Sequence, residues 1–204
     1  MKTDQSAGIW AIDPIHSAIR FEAKYLLISK VPGRFTDFEG TLVRDAASVN
    51  DRSDAAATVP DLFTPVDHFS NSTIRIAIYA NSIDTGNRER DDHLRSPDFF
   101  DAKHYPVIGF HSSGVTLEND GFYMVKGLLA IRDIVKEHSF RLQHSGTATD
   151  PNGNTKAGFT METVISRNQF DVGWNQSIGA DRWLLADEIR LLADIQLLKL
   201  SSNP

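Results

Sequence analysis

The chain lacks cysteine, an excess of basic residues and any long apolar run. With no cysteine among its 204 residues, it has neither disulfide bridges nor thiolate metal sites. Its formal net charge is −6 and charges of both signs are interspersed, so nucleic acid is not an expected partner. No run of about 18 apolar residues is present, and residues 1–9, a short tail, lack the apolar core of a secretory signal. We therefore predict no transmembrane segment and expect a cytoplasmic protein, with a mature periplasmic form as the alternative.

The common catalytic motifs are missing as well. The chain has no Gly-x-Ser-x-Gly elbow, no glycine-rich phosphate loop and no dinucleotide fingerprint. Four of the seven histidines precede a serine, but neighbouring residues of a strand point to opposite faces, so these pairs are not predicted to be catalytic dyads. Asp91, Asp92 and His93 are the best metal candidates, yet three successive helical residues spread over about 200° of arc and cannot all reach one ion. The sequence therefore predicts no enzyme and no metal site.

The chain does show a regular alternation of apolar and polar residues, with a period of two. Ile19, Phe21, Ala23 and Tyr25, for example, share one face of residues 19–25, which predicts a half-buried strand. About eight strands close into a barrel most simply, because closure removes exposed edges. The predicted fold class is all-β: an eight-stranded antiparallel up-and-down β-barrel in one domain over residues 10–200. Strand segments, nine in all for about eight barrel strands, are placed at about 9–18, 19–28, 34–44, 74–78, 107–113, 121–131, 137–144, 157–166 and 189–197.

Two segments interrupt the strands. Residues 45–72, rich in Ala, Asp and Ser, are predicted to be an insertion loop that covers the barrel mouth or contacts a partner subunit. Residues 87–95 are predicted to be a short lid helix, with Asn87 as its N-cap. Pro97 disfavours helical geometry at Ser96 and ends the helix there.

Large apolar side chains supply more surface than the wall of a small barrel requires, and Gly109, Gly127 and Ala193 are predicted to leave gaps between them. An eight-stranded barrel is just wide enough for one slender ligand, or for side chains that fill it completely. From the residues alone both interpretations stay open. The predicted ligand-binding residues are Ile19, Phe21, Tyr25, Phe35, Phe38, Ile76, Ile78, Phe99, Phe100, Phe110, Tyr123, Phe159, Met161, Phe170, Trp174 and Ile195.

A polar rim is predicted where basic residues fall at strand ends or on the lid helix. Such a rim would meet the polar head of an amphiphilic ligand. The loop between Trp174 and Trp183 is a second candidate closure: it either closes the opposite end, contacts a membrane surface, or is a buried corner. The predicted rim residues are His16, Arg34, Arg88, Arg90, His93 and Arg95.

Three segments carry a resemblance to a known family. Residues 83–106, IDTGNRERDDHLRSPDFFDAKHYP, together with residues 10–21 and 31–42, resemble the YceI-like family of lipocalin-like, polyisoprenoid-binding proteins. The likeness extends from Trp10 to Leu200. The chain departs from the family at Tyr25, where histidine is usual, and at 133–137, where a Gly-Val-Thr-Lys-Pro turn is usual.

The resemblance implies that the barrel binds, stores or transports a long-chain polyisoprenoid or similar lipid with a quinone or pyrophosphate head. No cofactor other than such a bound lipid is expected. Transient contact with a membrane surface, through the loop between Trp174 and Trp183, and a homodimer are further expectations from the sequence. Two alternatives remain: an enzyme acting on the lipid head group through His93 and Asp92, or an interaction module with a filled barrel that pairs subunits through 45–72.

Overall fold

The computed structural model describes residues 8–26, 28–44, 67–179 and 183–200. Within these ranges, no helix is both long and apolar enough to cross a membrane. Besides short 3₁₀ turns, the described residues form one α-helix and eleven strand segments. The segments are β1 Gly8–Ile12, β2 Ala18–Tyr25, β3 Ser29–Phe35, β4 Phe38–Arg44, β5 Thr73–Tyr79, β6 Ile83–Asp84, α1 Arg88–Arg95, β7 Val107–Leu117, β8 Phe122–Ile131, β9 Ile134–Thr149, β10 Thr155–Ser166 and β11 Leu185–Lys199.

These segments form a closed barrel of eight antiparallel strands, which confirms the predicted fold class. The first three barrel strands are each broken in two, as β1 with β2, β3 with β4, and β5 with β6. β7 to β11 are continuous, and each pairs with the next along the chain. The barrel closes where β11 pairs with both β1 and β2, as at Trp10 with Lys199 and Phe21 with Leu191.

The first barrel strand corrects one prediction. Residues 9–18 and 19–28 were expected to be two strands, but they form one strand that a single turn of 3₁₀ helix, Pro14–His16, interrupts. Pro14 has no N–H to give to a ladder, and the Asp13 side chain accepts a hydrogen bond from the N–H of Ile15, which stabilises the break. The change of direction comes between β2 and β3, which pair antiparallel.

The hairpin turns agree with the sequence. Gly121 between β7 and β8 and Gly153 between β9 and β10 adopt left-handed backbone angles, with φ of 86° and 85°. Asp150 opens the second turn, and its side chain accepts from the N–H groups of Asn152 and Asn154. Gly, Asp and Asn at these positions are typical of tight turns between antiparallel strands.

Aromatic side chains fill the end of the barrel far from α1. The Phe69 ring, whose residue is 2% exposed, lies 5.0 Å from the Phe159 ring, 5.8 Å from that of Trp10 and 6.1 Å from that of Tyr123. The Tyr123 hydroxyl accepts hydrogen bonds from the N–H groups of His68 and Phe69. The end of the predicted insertion loop therefore packs into the core. Residues 45–66 of that loop lie outside the described residues.

Two glycines do not leave the gaps that were expected of them. A Cβ atom at Gly127 would lie 2.4 Å from the carbonyl oxygen of His111, so this glycine permits close strand contact and opens no space. Gly109 pairs with Ala130 on the outer face of the barrel.

The short helix has the predicted bounds. The Asn87 side chain accepts from the N–H of Arg90, α1 runs from Arg88 to Arg95, and Ser96 takes extended geometry before Pro97. Its charged face is turned outward, while Leu94 and His93 point toward the barrel interior. α1 therefore lies across one end of the barrel.

Candidate ligand-binding chamber

A cavity of about 530 Å³ occupies the end of the barrel that α1 covers. Its walls come from β2, β3, β5, β7, β8, β10 and β11, and its roof from α1 and from residues 99–100 and 170–174. Almost all of the lining is apolar. We call this cavity the chamber.

Many of the predicted ligand-binding residues meet in the chamber. They come from distant parts of the chain. For the residues on strands, alternation correctly indicated which face points inward. Whether they contact a ligand stays a prediction. The predicted residues that line the chamber are Ile19, Phe21, Tyr25, Phe35, Ile78, Phe99, Phe100, Phe170 and Trp174.

The other predicted residues lie away from the chamber. Most belong to the filled end, where Ile76, Phe159 and Ile195 surround a void of only about 50 Å³. Phe38, Phe110 and Tyr123 are buried in the core. Met161 lines a separate depression shared with Arg141 and Asp194. The structure does not bring these side chains together with the chamber, because alternation reports the inward face but not the height along the barrel axis.

Sequence reasoning missed much of the aliphatic lining. That reasoning favoured aromatic residues, although Ile189 and Leu191 lie in the strand predicted at 189–197. No pattern in the sequence marked Arg167 as a lining residue, because its place in the chamber depends on a loop that folds back over it. The missed lining residues are Ala23, Val31, Leu94, Ile108, Leu129, Ile131, Ile165, Arg167, Val172, Leu184, Leu185, Ile189 and Leu191.

Of the predicted rim residues, Arg90 and His93 line the chamber. His16 instead lies with its Nδ1 2.9 Å from Asp13 Oδ2, and Arg34 pairs with Asp84 at 2.8 Å. Neither of these two reaches the chamber.

The two remaining rim candidates also point away from the chamber. The Arg88 side chain is 95% exposed and lies 3.9 Å from Asp92 Oδ2. Arg95 donates to the carbonyl oxygens of Asn81 and Ile83 and pairs with Asp92 at 3.0 Å, so it anchors the helix.

Edge-to-face contacts between aromatic rings join α1 to the loop after β10. The His93 ring lies 4.8 Å from the Trp174 ring and 5.0 Å from the Phe99 ring, in edge-to-face geometry with both. His93 Nε2 also lies 2.9 Å from Asp98 Oδ2, which fixes the imidazole plane. The loop that begins at Trp174 therefore closes the same end as the helix, so the expectation that it closes the opposite end is wrong. Trp183, in contrast, is 56% exposed.

The two arginines of the chamber are held by oxygen atoms without charge. Arg90 donates from Nε to Thr85 Oγ1 at 2.7 Å and from Nη2 to the Thr85 carbonyl at 2.9 Å. Arg167 donates to the carbonyl oxygens of Ala186, Val172 and Trp174. Burial lowers the pKa of Arg167, an effect that Asp187 partly offsets. Positive charge therefore lies at the roof of an apolar space.

The acidic residues of α1 diverge from one another. Asp91 accepts from the N–H and hydroxyl of Thr85, whereas Asp92 faces Arg95. Within the described ranges, no group of three or more His, Asp or Glu side chains is arranged to hold a metal ion. Asp92 is 62% exposed and is not part of the chamber lining.

Two half-buried histidines should make the stability of the folded protein depend on pH. Burial lowers the pKa of His138, and burial followed by repulsion from His68 lowers the pKa of His144. In the unfolded chain these groups bind protons near pH 6.5, so below that pH the unfolded state holds more protons than the folded one. Stability is then fully present above about pH 6.5 and is lost as the pH falls below it. The urea midpoint should drop between pH 7.5 and 5.5, and it should drop less in the double variant His138→Gln, His144→Gln. An equal drop in both proteins would contradict this assignment.

A closed antiparallel barrel with an apolar chamber beneath one short helix defines a lipocalin-like β-barrel. The chain belongs to the YceI-like family: residues 10–197 match the profile of the YceI-like domain, which confirms the resemblance seen in the sequence. It is 29% identical to a UPF0312 protein of Shewanella denitrificans over 174 residues, 84% of this chain and 81% of that protein. It is also 29% identical to a UPF0312 protein of Staphylococcus aureus over 188 residues, 92% and 95% of the two chains.

Solved structures share the fold. BcnA of Burkholderia cenocepacia superposes with a TM-score of 0.70 at 20% identity, covering 91% of this chain and 98% of BcnA. The YCEI protein of Campylobacter jejuni gives 0.65 at 24% identity, covering 87% and 90%. A polyisoprenoid binding domain from Saccharophagus degradans, implicated in plant cell wall breakdown, gives 0.58 at 11% identity, covering 94% and 98%. At these identities the likeness concerns the fold.

Proposed function

We propose that this protein binds a long-chain polyisoprenoid or similar amphiphilic lipid, with the hydrocarbon tail in the chamber and the head under α1, and that it performs no catalytic step. The observation that carries this proposal is the chamber: an almost wholly apolar space of about 530 Å³ inside the barrel. Its size falls within the range of about 300–1,000 Å³ typical of small-molecule sites.

The chamber sets how much hydrocarbon fits inside. A methylene group is close in size to a water molecule, whose share of liquid volume is about 30 Å³, so the chamber holds about 15 to 18 carbon atoms. Burying about 15 carbons gains roughly 12 kcal/mol before the costs of association, since each buried methylene contributes ~0.8 kcal/mol. Micromolar affinity is attainable from the tail alone. A longer isoprenoid leaves its remaining units outside the chamber.

Storage or transport, a homodimeric state and transient contact with a membrane surface belong to the same proposal. Trp183 supports the membrane contact, because it is exposed and directly precedes Leu184 and Leu185 of the chamber lining. Tryptophan favours the boundary between water and lipid. The polyisoprenoid binding domain of Saccharophagus degradans, with the same fold, supports the choice of lipid class.

The alternatives have less support. A barrel filled from end to end does not agree with the chamber, although the aromatic end agrees with it locally. An enzyme acting through His93 and Asp92 would need both at the ligand, whereas His93 lines the chamber and Asp92 pairs with arginines on the outer side of α1.

The test is to look for a lipid that copurifies with the protein. Mass spectrometry of organic extracts from purified, undenatured protein should show a lipid that extracts of an unrelated protein, prepared from the same cells, do not contain. The expected molar ratio approaches one lipid per chain. Extracts at background level, combined with failure to take up added farnesol, would refute the proposal.

A further inference from the structure

The chamber carries positive charge and no negative charge in its lining. Arg90, His93 and Arg167 are its ionisable nitrogen groups, and no Asp or Glu is among the described residues that line it. The rest is hydrocarbon apart from the polar atoms of Tyr25 and Trp174. A neutral apolar ligand would not require this arrangement.

Arg167 is the most buried of these groups. The residue is only 7% exposed, and its Nε and Nη1 atoms donate to the carbonyls of Ala186 at 3.0 Å, Val172 at 2.6 Å and Trp174 at 2.8 Å. Its Nη2 has no hydrogen-bond partner among the described residues. Asp187 acts on it electrostatically but is engaged elsewhere, because it accepts from Ser166 Oγ at 2.7 Å and from Asn168 N–H at 3.0 Å.

Arg90 repeats this pattern on the lid helix. Its Nε and Nη2 are bonded to Thr85, and Nη1 has no partner within the described part of the chain. The carboxylate next to it in sequence, Asp91, is itself bonded to Thr85. Both guanidinium groups are therefore held in place by neutral oxygens and keep donors for something else.

A cation buried without a counter-charge destabilises a protein, because carbonyl dipoles replace only part of its hydration. An anion placed in the same space removes that penalty and forms charge-assisted hydrogen bonds with the free donors. A quinone or an alcohol brings no charge, so Arg167 would keep only the partial compensation that Asp187 provides without a direct hydrogen bond. We propose that the chamber selects lipids with an anionic head group, a carboxylate or a phosphate, which Arg167 and Arg90 bind.

This inference rests on the proposed function, since the tail must occupy the chamber. A set of probes with one shared farnesyl-type tail separates the two: farnesoic acid, its methyl ester, farnesyl phosphate and farnesol, each titrated by isothermal calorimetry at pH 7.5. We expect the acid or the phosphate to bind at least about ten-fold more tightly than its neutral counterpart, the size expected of a hydrogen bond to a charged group. A preference confined to farnesyl phosphate would indicate phosphorylated lipids, and one shown also by farnesoic acid would indicate carboxylates as well.

Variants assign the preference to residues. Arg90→Gln should reduce the preference for the anionic probes by several-fold, whereas Arg88→Gln, on the same helix but outside the chamber, should leave that preference intact. Arg167→Gln should nearly abolish the preference. If Arg167→Gln fails to fold, the affinities measured for Arg90→Gln decide whether these arginines cause the preference.

The possible failures are distinguishable. Equal affinity of the acid and phosphate for the neutral probes overturns the anionic head and leaves lipid binding standing. No binding of any probe refutes the proposed function itself. A preference that persists unchanged in Arg90→Gln, and in Arg167→Gln where it folds, overturns the role of these arginines.

Discussion

Replacing Ala23 by phenylalanine should deprive the protein of most of its lipid while leaving the barrel folded. Ala23 lies on β2, faces the chamber and pairs with Val31 and Ile189 across the sheet. A phenyl ring projecting from this position takes the room of several methylene groups. Losing four of them at ~0.8 kcal/mol each weakens tail binding by roughly 3 kcal/mol, about 100-fold or more in affinity. Farnesol titration and the lipid content of purified protein both measure this loss.

The matched control is the same change on the outer face. Ala130 lies on β8 between the inward residues Leu129 and Ile131 and is partly exposed, so Ala130→Phe adds an equal volume outside the barrel. It should bind lipid like the original protein. Because Ala23→Phe fills existing space, its thermal midpoint should stay within a few degrees, unlike an insertion into a packed core. Normal lipid content in Ala23→Phe would show that the lipid binds outside the chamber.

Local patterns predicted the elements better than they predicted the chamber. Asn87 and Pro97 fixed α1 because caps act within a few residues. The alternation of Ile19, Phe21 and Tyr25 fixed the inward face of β2 for the same reason. Height along the barrel axis is different, since it depends on the stagger of strands that are distant in sequence.

The largest surprise at the site, Arg167, follows from the same limit. Its partners are backbone carbonyls at Val172, Trp174 and Ala186, and any residue type supplies a carbonyl. No side-chain pattern therefore marks the site. The division of the barrel into a filled end and a hollow end was likewise invisible, because Phe69 enters the core from a long loop and no strand alternation places it there.

That division predicts the second large effect, on stability. Phe69→Ala should lower the free energy of unfolding by about 3–5 kcal/mol, as expected for removing a buried aromatic ring. The ring is surrounded by those of Trp10, Phe159 and His144, at 5.8, 5.0 and 5.0 Å, so little can collapse into the space left behind. Urea denaturation followed by tryptophan fluorescence measures the loss. Phe69→Leu, which keeps most of the apolar volume, should cost clearly less.

The two variants should then fail in opposite ways. Phe69→Ala removes packing from the end that holds no chamber, so at temperatures where it stays folded its farnesol affinity should match the original protein. Ala23→Phe should lose the ligand and keep its stability. If Phe69→Ala instead lost both together, the filled end would have to support the chamber directly. Stability and ligand binding would then depend on one continuous core, and the residues that line the chamber would not define the site by themselves.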